Sequence, residues 1–445
     1  MLCCTAVEGT VAQALFTLTE AQITGQQQQS YAVPSGVYGG GALGATVQYK
    51  SNSLTTNFTP TAGSPDLALN AVFLKITAGA GLNLGSVGPE INLSNAYQTL
   101  FTALLALGSS NLELTYRIPI AGRAWNAGIY TSTNSITMVT PTSIPMSITV
   151  PSFITVNAIP PAAVLTLTSL ANYRPGGGIT GTHIFDYFSS LAADVKLRAT
   201  STSNFSFSTT EPKIVDPSPA ASFVKANTTV PSVGTQISLT NADQNLATHI
   251  AVQATNKRSI TTSFSLSAAD LKSSFVQAGT YTLPLTYSIS KNSAAYGSTL
   301  TANTTSSVQV VVPRLFEFIL PADNLVLTAN SINSYATGLT VALSPITLSS
   351  TIPYNITVKA SGDFSNGSGG TILANSVTVE GTAAQTGITA VALSTADQSL
   401  VTGASPVIDR TLNLQYRIPA AKTVNLMDKA AGVYQATITF TCTAP

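Results

Sequence analysis

The residues able to do chemistry are few and scattered. Histidine occurs twice, at His183 and His249. Neither has a serine and an acid in local support, and no Gly-x-Ser-x-Gly elbow is present, so each reads as an isolated polar side chain and not as a base or ligand. No Asp-x-Asp or loop of closely spaced carboxylates offers the oxygen density that Ca²⁺ needs. The recurrent acid is Asp243 and Asp397, each in Ala-Asp-Gln, with Tyr97 at the matching place upstream; a lone Asp in a turn reads as bonding its own backbone. Gly176-Gly177-Gly178 follows Pro175 with no lysine or helix in the pattern a phosphate cradle requires. Arg117 and Arg417, both in Tyr-Arg-Ile-Pro, read as a solvated strand face. The cysteines are Cys3, Cys4 and Cys442, too few for a metal framework. Two stand near one end and one near the other. Cys442 fits equally a small hydrophobe on an inward strand face and a bridging residue. These residues predict no enzyme, no cofactor and no metal.

The elements that carry them repeat. Leu-Ser-Asn-Ala-Tyr-Gln-Thr-Leu (93–100), Leu-Glu-Leu-Thr-Tyr-Arg-Ile-Pro (112–119) and Ala-Gly-Ile-Tyr (127–130) form one ordered set. It recurs as Leu-Thr-Asn-Ala-Asp-Gln-Asn-Leu (239–246), Thr-Ser-Phe-Ser-Leu (262–266) and Ala-Gly-Thr-Tyr (278–281). A third set runs Leu-Ser-Thr-Ala-Asp-Gln-Ser-Leu (393–400), Leu-Asn-Leu-Gln-Tyr-Arg-Ile-Pro (412–419) and Ala-Gly-Val-Tyr (431–434). Three sets in one internal order predict three homologous modules, at 1–150, 151–312 and 313–445. The chain of 445 residues divides comfortably into three domains of ordinary size.

Charged residues are 8% of the chain, against roughly 25% in an average soluble protein. Hydrophobic residues are 44%, enough for three cores and too many for disorder. A net charge of +1 supplies little of the repulsion that keeps soluble proteins apart, which suits a protein that assembles. No basic patch points to nucleic acid, and no apolar run reaches the length of a membrane span. Met1–Glu8 lacks a basic region and is interrupted by Glu8, so it does not read as an intact signal peptide, although Ala12-Gln13-Ala14 resembles the small-residue end of one. The seven Asn-x-Ser/Thr sequons are what chance provides in a chain so rich in Ser and Thr.

Strand signals dominate. Leu412, Leu414, Tyr416 and Ile418 alternate onto one face, as do Tyr434, Ala436, Ile438 and Phe440. Short alternating runs between turn residues predict all-β sandwiches. Short helical turns are expected around Thr99–Leu107, Ile184–Ala193 and Ala268–Ser274. Each module is read as opening on similar alternation, at Ala14, Val150 and Val312. The Val-Pro pairs at 150 and 312 predict stiff joints and modules fixed end to end in a rod. Tyr130, Tyr281 and Tyr434 are expected to form tyrosine corners, each ring capping a core while its hydroxyl bonds nearby backbone.

The pattern Ala-Gly-Val-Tyr-Gln-Ala-Thr-Ile-Thr-Phe-Thr-Cys (431–442) resembles the late strand of bacterial spore-coat-U-like and chaperone–usher fimbrial subunits. The resemblance covers about a dozen residues per module. It implies Ig-like sandwiches that polymerise by strand donation at an extracellular surface.

A comparison within the chain sharpens that expectation. After its Gly-x-Tyr strand the first module continues with Ser-Ile-Pro-Met-Ser-Ile-Thr-Val (143–150), and the second with Ser-Ser-Val-Gln-Val-Val-Val (306–312). No such segment follows Thr441-Cys442 in the third, which reads as one strand short. Thr5–Gln13 is the surplus segment upstream. The expectation is therefore a structural filament subunit whose residues 5–13 complete the third module of a second copy, head to tail. Cys3, Cys4, Thr10, Val11, Phe440 and Cys442 are the joint candidates, with an intersubunit disulfide available in an oxidising location. The alternative is a non-polymerising surface adhesin that binds glycan or a host protein.

Overall fold

The computed structural model describes residues 13–38, 45–77, 84–103, 110–140, 142–156, 158–200, 203–383 and 385–444. Alternation of apolar with Thr- and Ser-rich positions places about half of the described residues in β-strands, with only short helices between them. Along residues 14–150 two sheets face each other over one core. The first sheet runs, in spatial order, from a lead strand (Ala14–Thr17) through a closing strand (Ser143–Val150), a penultimate strand (Gly128–Ile136) and a middle strand (Thr46–Ser51) to Gln98–Ala103 and Leu84–Val87. Its partner sheet is centred on Gln29–Tyr38, Ser110–Ile118 and Phe73–Thr77.

Residues 154–312 repeat the plan. The lead strand is Ala163–Thr166, the closing strand Thr301–Val312, the penultimate strand Gly279–Lys291 and the middle strand Ala193–Ala199. In both sandwiches the lead strand lies parallel to the closing strand, and these are the only parallel pairings among the described residues. Residues 316–443 again place a middle strand (Tyr354–Ala360) beside a penultimate strand (Ile438–Thr443), over a sheet built on Leu414–Pro419.

The cores follow from the strand period. In Gly279–Lys291 the side chains of Tyr281, Leu283, Leu285, Tyr287 and Ile289 all point inward and are buried. Each such side chain contributes roughly 1.5–3 kcal/mol relative to its exposed state. Tyr49 and Tyr116 meet across the first core with their hydroxyls 3.1 Å apart. All three tyrosine corners are present: the hydroxyls of Tyr130, Tyr281 and Tyr434 donate to the carbonyls of Asn126, Gln277 and Ala430, each at 2.9 Å.

Several sequence-level expectations need correction. Ala268–Ser274 is helical as expected, whereas Ile179–Ser189 is a strand, and so is Gln98–Ala103 where a turn at Thr99–Leu107 is expected, residues 104–107 of which lie outside the described residues. The run Ile184-Phe185-Asp186-Tyr187-Phe188 satisfies both periods, and pairing with Lys257–Leu266 decides for the strand. The counterpart of Ala14–Thr17 is not the Val-Pro joint at 150 but Ala163–Thr166, thirteen residues later. Asp243 and Asp397 do not serve their own turns. Those two turns, and the matching turn at Tyr97, are closed by the hydroxyls of Thr240, Ser394 and Ser94, which accept the N–H two residues on. Asp243 instead pairs with Arg198 at 3.1 Å and Asp397 with Lys359 at 3.9 Å. At the matching place Lys50 sits over the Tyr97 ring, 4.6 Å from its centroid, so a cation–π contact replaces the ion pair.

His183 is buried, with Nδ1 3.0 Å from the Tyr287 hydroxyl and Nε2 3.2 Å from Ser306 Oγ. Burial pulls its pKa below the ordinary value. Arg117 donates to Glu90 and lies over the Phe73 ring, while Arg417 stands 3.7 Å from Glu380.

Candidate subunit-joint site

In the first two sandwiches the closing strand is held on both sides. Val150, Ile148, Met146 and Ile144 stand opposite Gly128, Tyr130, Ser132 and Asn134 of the antiparallel penultimate strand. On the other flank Met146 and Ile148 stand beside Ala14 and Phe16 of the parallel lead strand. The middle sandwich repeats this, with Val308 and Val310 between Leu283 and Tyr281 on one side and Ala163 and Leu165 on the other.

The last sandwich lacks that occupant among the described residues. Ile438–Thr443 pairs only with its middle strand, through Ala360↔Ile438, Val358↔Phe440 and Ile356↔Cys442. Among the described residues its other edge has no strand partner, and an open edge is the feature that recruits a further strand. The lead segment is present in sequence as Leu325-Val326-Leu327-Thr328, against Ala-Val-Leu-Thr at 163–166, yet it joins no sheet. It already has the right alternation: Val326 is 69% exposed, as Leu15 is 64% exposed, while Leu325, Leu327 and Ala329 are half-buried, the last two packed against the core. Their counterparts Ala14, Phe16, Leu18, Ala163, Leu165 and Leu167 are fully buried. The same deficit shows on the open-edged strand and the residues leading into it, where Tyr434, Ala436, Ile438 and Phe440 are half-buried and Tyr130, Tyr281, Leu283 and Leu285 are buried.

Of the joint candidates, Phe440 and Cys442 therefore lie on the inward face of the open-edged strand. Cys442 carries a free thiol whose pKa burial pushes up to about 11, the environment of a small core hydrophobe and not of a reactive thiolate. Cys3, Cys4, Thr10 and Val11 lie outside the described residues, as does the rest of the surplus segment up to Ala12. The unpaired segment Leu325–Ala329 escapes a reading that looks only for missing strands. Its signal is the Val-Leu-Thr shared with 164–166. Among the described residues no group of three or more His, Cys, Asp or Glu is placed to hold a metal ion. No described helix is long and apolar enough to cross a membrane.

No family model matches the chain, and no curated protein matches it. Solved structures similar to it include the chaperone–tip adhesion subunit pre-assembly complex CsuC–CsuE of archaic Csu pili from Acinetobacter baumannii, at 12% identity over 65% of this chain and 99% of that one, with a TM-score of 0.28. The CupB6 tip adhesin of Pseudomonas aeruginosa is 12% identical over 65% of this chain and 94% of that one, with a TM-score of 0.29. Three titin domains, I67–I69, match at 9% identity over 96% of this chain and 94% of that one, with a TM-score of 0.20. At these scores none of the likenesses bears on function.

Proposed function

We propose that the protein is a non-enzymatic structural subunit of an extracellular surface filament, joined to its neighbour by a β-strand added to its last sandwich. The observation that supports this is that Ile438–Thr443 has one edge without a strand partner and Leu325–Ala329 joins no sheet, while Leu327, Ala329, Ile438 and Phe440 pack on the same core; the two segments are taken as the walls of the slot. An added strand gives both walls backbone partners and covers their half-buried apolar side chains, at about 25 cal/mol per Å². On this reading the chain is three homologous sandwiches with boundaries at Val150 and Val312, and no metal or cofactor is part of the fold. Residues 5–13 of a second copy are the donor for a head-to-tail polymer, which brings Cys3 and Cys4 toward Cys442. Deleting residues 1–13 tests this: soluble monomers are expected, and fibres from the truncated protein refute donation by that segment.

One observation favours a second reading, a surface adhesin that accepts a strand without donating one. Thirteen residues separate Val150 from Ala163, and the same spacing separates Val312 from Leu325. Applied before Ala14, it lays residues 1–13 over the stretches that hold the opening strands Ile154–Val156 and Phe316–Ile319. Residues 5–13 then belong to their own sandwich. Truncation separates the two readings, since it destabilises the first sandwich only under the second.

A further inference from the structure

The two junctions between consecutive sandwiches are made by one device. At the first, Ser190 is buried and donates its hydroxyl to the Pro151 carbonyl at 2.7 Å while accepting the Phe153 N–H at 3.0 Å. Its backbone N–H bonds the Phe153 carbonyl at 3.2 Å, and its carbonyl accepts the Ala127 N–H of the preceding sandwich at 2.7 Å. At the second junction Thr351 takes the same part. Its hydroxyl donates to Pro313 at 2.8 Å and accepts from the Leu315 N–H at 2.7 Å. Its N–H bonds Leu315 at 3.0 Å, and its carbonyl accepts the Ala278 N–H at 2.7 Å. A buried hydroxyl residue thus ties the entering chain to its own sandwich and holds out a carbonyl to the sandwich before.

The half of the device that receives this carbonyl is Ala-Gly-x-Tyr, and the last sandwich has it too. Ala431-Gly432-Val433-Tyr434 keeps the corner bond of Tyr434. Gly128, Gly279 and Gly432 share a positive φ of 152°, 149° and 158°, a conformation that admits little but glycine. The third corner is therefore already shaped. Yet the Ala431 N–H has no such acceptor among the described residues, and Val433 beside it is 68% exposed.

We propose that the Ala430–Tyr434 corner is the docking half of a third junction. Its occupant is a β-sandwich domain of a different subunit, one that enters through a proline-led strand and presents a buried Ser or Thr. The proposal rests on the second reading above, in which the last sandwich accepts a strand and residues 5–13 are not the donor, because at both existing junctions the closing strand runs directly into the docked domain at Pro151 and Pro313. A copy of this chain's first sandwich is the wrong occupant. The loop matching Ser190 and Thr351, between Gln29–Tyr38 and Thr46–Ser51, includes Gly-Gly-Gly-Ala-Leu-Gly (39–44) without a hydroxyl, and no proline precedes Ala14.

The test uses two extended forms of the full chain. One carries a second copy of residues 137–150 after Pro445, supplying the strand alone; the other carries a copy of residues 137–312, supplying the strand and the sandwich that follows it. Amide exchange is read at Ala431 and along residues 438–443. Both forms are expected to protect the strand, and only the longer one to slow Ala431, by about tenfold or more. Ser190→Ala in the appended copy should return Ala431 toward its free rate, and Ser190→Thr should restore protection. A protected strand with Ala431 still free in the longer form overturns the docking proposal and leaves strand acceptance standing. Protection at neither place overturns the reading beneath it. Protection of Ala431 in the unextended chain at concentrations where it self-associates assigns the corner to a second copy and overturns the partner proposed here.

Discussion

Supplying in cis a strand for the unpaired edge of Ile438–Thr443 should stabilise the last sandwich by an amount that can be worked out in advance. The perturbation is a copy of residues 137–150 appended after Pro445, which brings Ile144, Met146, Ile148 and Val150 into the slot. On the receiving walls, Leu325, Leu327, Ile438 and Phe440 pass from half-buried to buried, a gain of about 1 kcal/mol each. The four donated side chains contribute about 2 kcal/mol apiece, which roughly offsets ordering eight residues at about 1 kcal/mol each. About 4 kcal/mol remains, and for a domain of this size that corresponds to a rise in melting temperature of roughly 15 °C. Calorimetry reads the shift, and exchange protection assigns the transition to residues 316–443. A control extension with Ile144→Ser, Met146→Ser and Ile148→Ser should shift it little. Equal stabilisation by both extensions, or by neither, refutes the reasoning.

Three further outcomes follow from single contacts. Tyr281→Phe removes the buried hydroxyl bond to Gln277 and should cost about 1–2 kcal/mol in urea unfolding, whereas Tyr434→Phe, in the open corner, should cost clearly less. The folded pKa of His183 lies below the ordinary 6.5, so protons bind more tightly to the unfolded chain. The middle sandwich should therefore hold its full stability above about pH 6.5 and lose it as pH falls toward the folded pKa, and His183→Gln should flatten that part of a plot of Tm against pH. Tyr97→Ala should cost about 0.5 kcal/mol by loss of the Lys50 contact, while Tyr97→Asp, which restores the acid found at 243 and 397, should be near neutral in the same unfolding assay.

Much of the architecture is legible in the residues because it rests on period and repetition. Tyr130, Tyr281 and Tyr434 announce their corners because the preceding glycine is needed for the turn and the ring for the core. That the described residues of the last sandwich hold no counterpart of 143–150 and 306–312 is legible because those two segments alternate so clearly. Other features leave no such trace. Ile184–Phe188 is aromatic at both helical and strand spacing, and only its partner strand decides. The opening alternation at Ala14 resembles that at Val150 as closely as that at Ala163, so the parallel lead strand is hidden until pairing is seen. Ser190 and Thr351 are single hydroxyls in a chain full of them, and their role depends on a buried position between two sandwiches. Asp243 shows its partner only once Arg198 on the neighbouring strand lies beside it.

The most direct test of the strand-accepting joint is to image the assembled native material at a resolution that traces backbone. The expected result is a strand lying antiparallel to Ile438–Thr443 and parallel to Leu325–Ala329, contributed by another polypeptide. A slot that stays empty in the assembly, or one filled by a segment of residues 1–445 of the same molecule, contradicts the account.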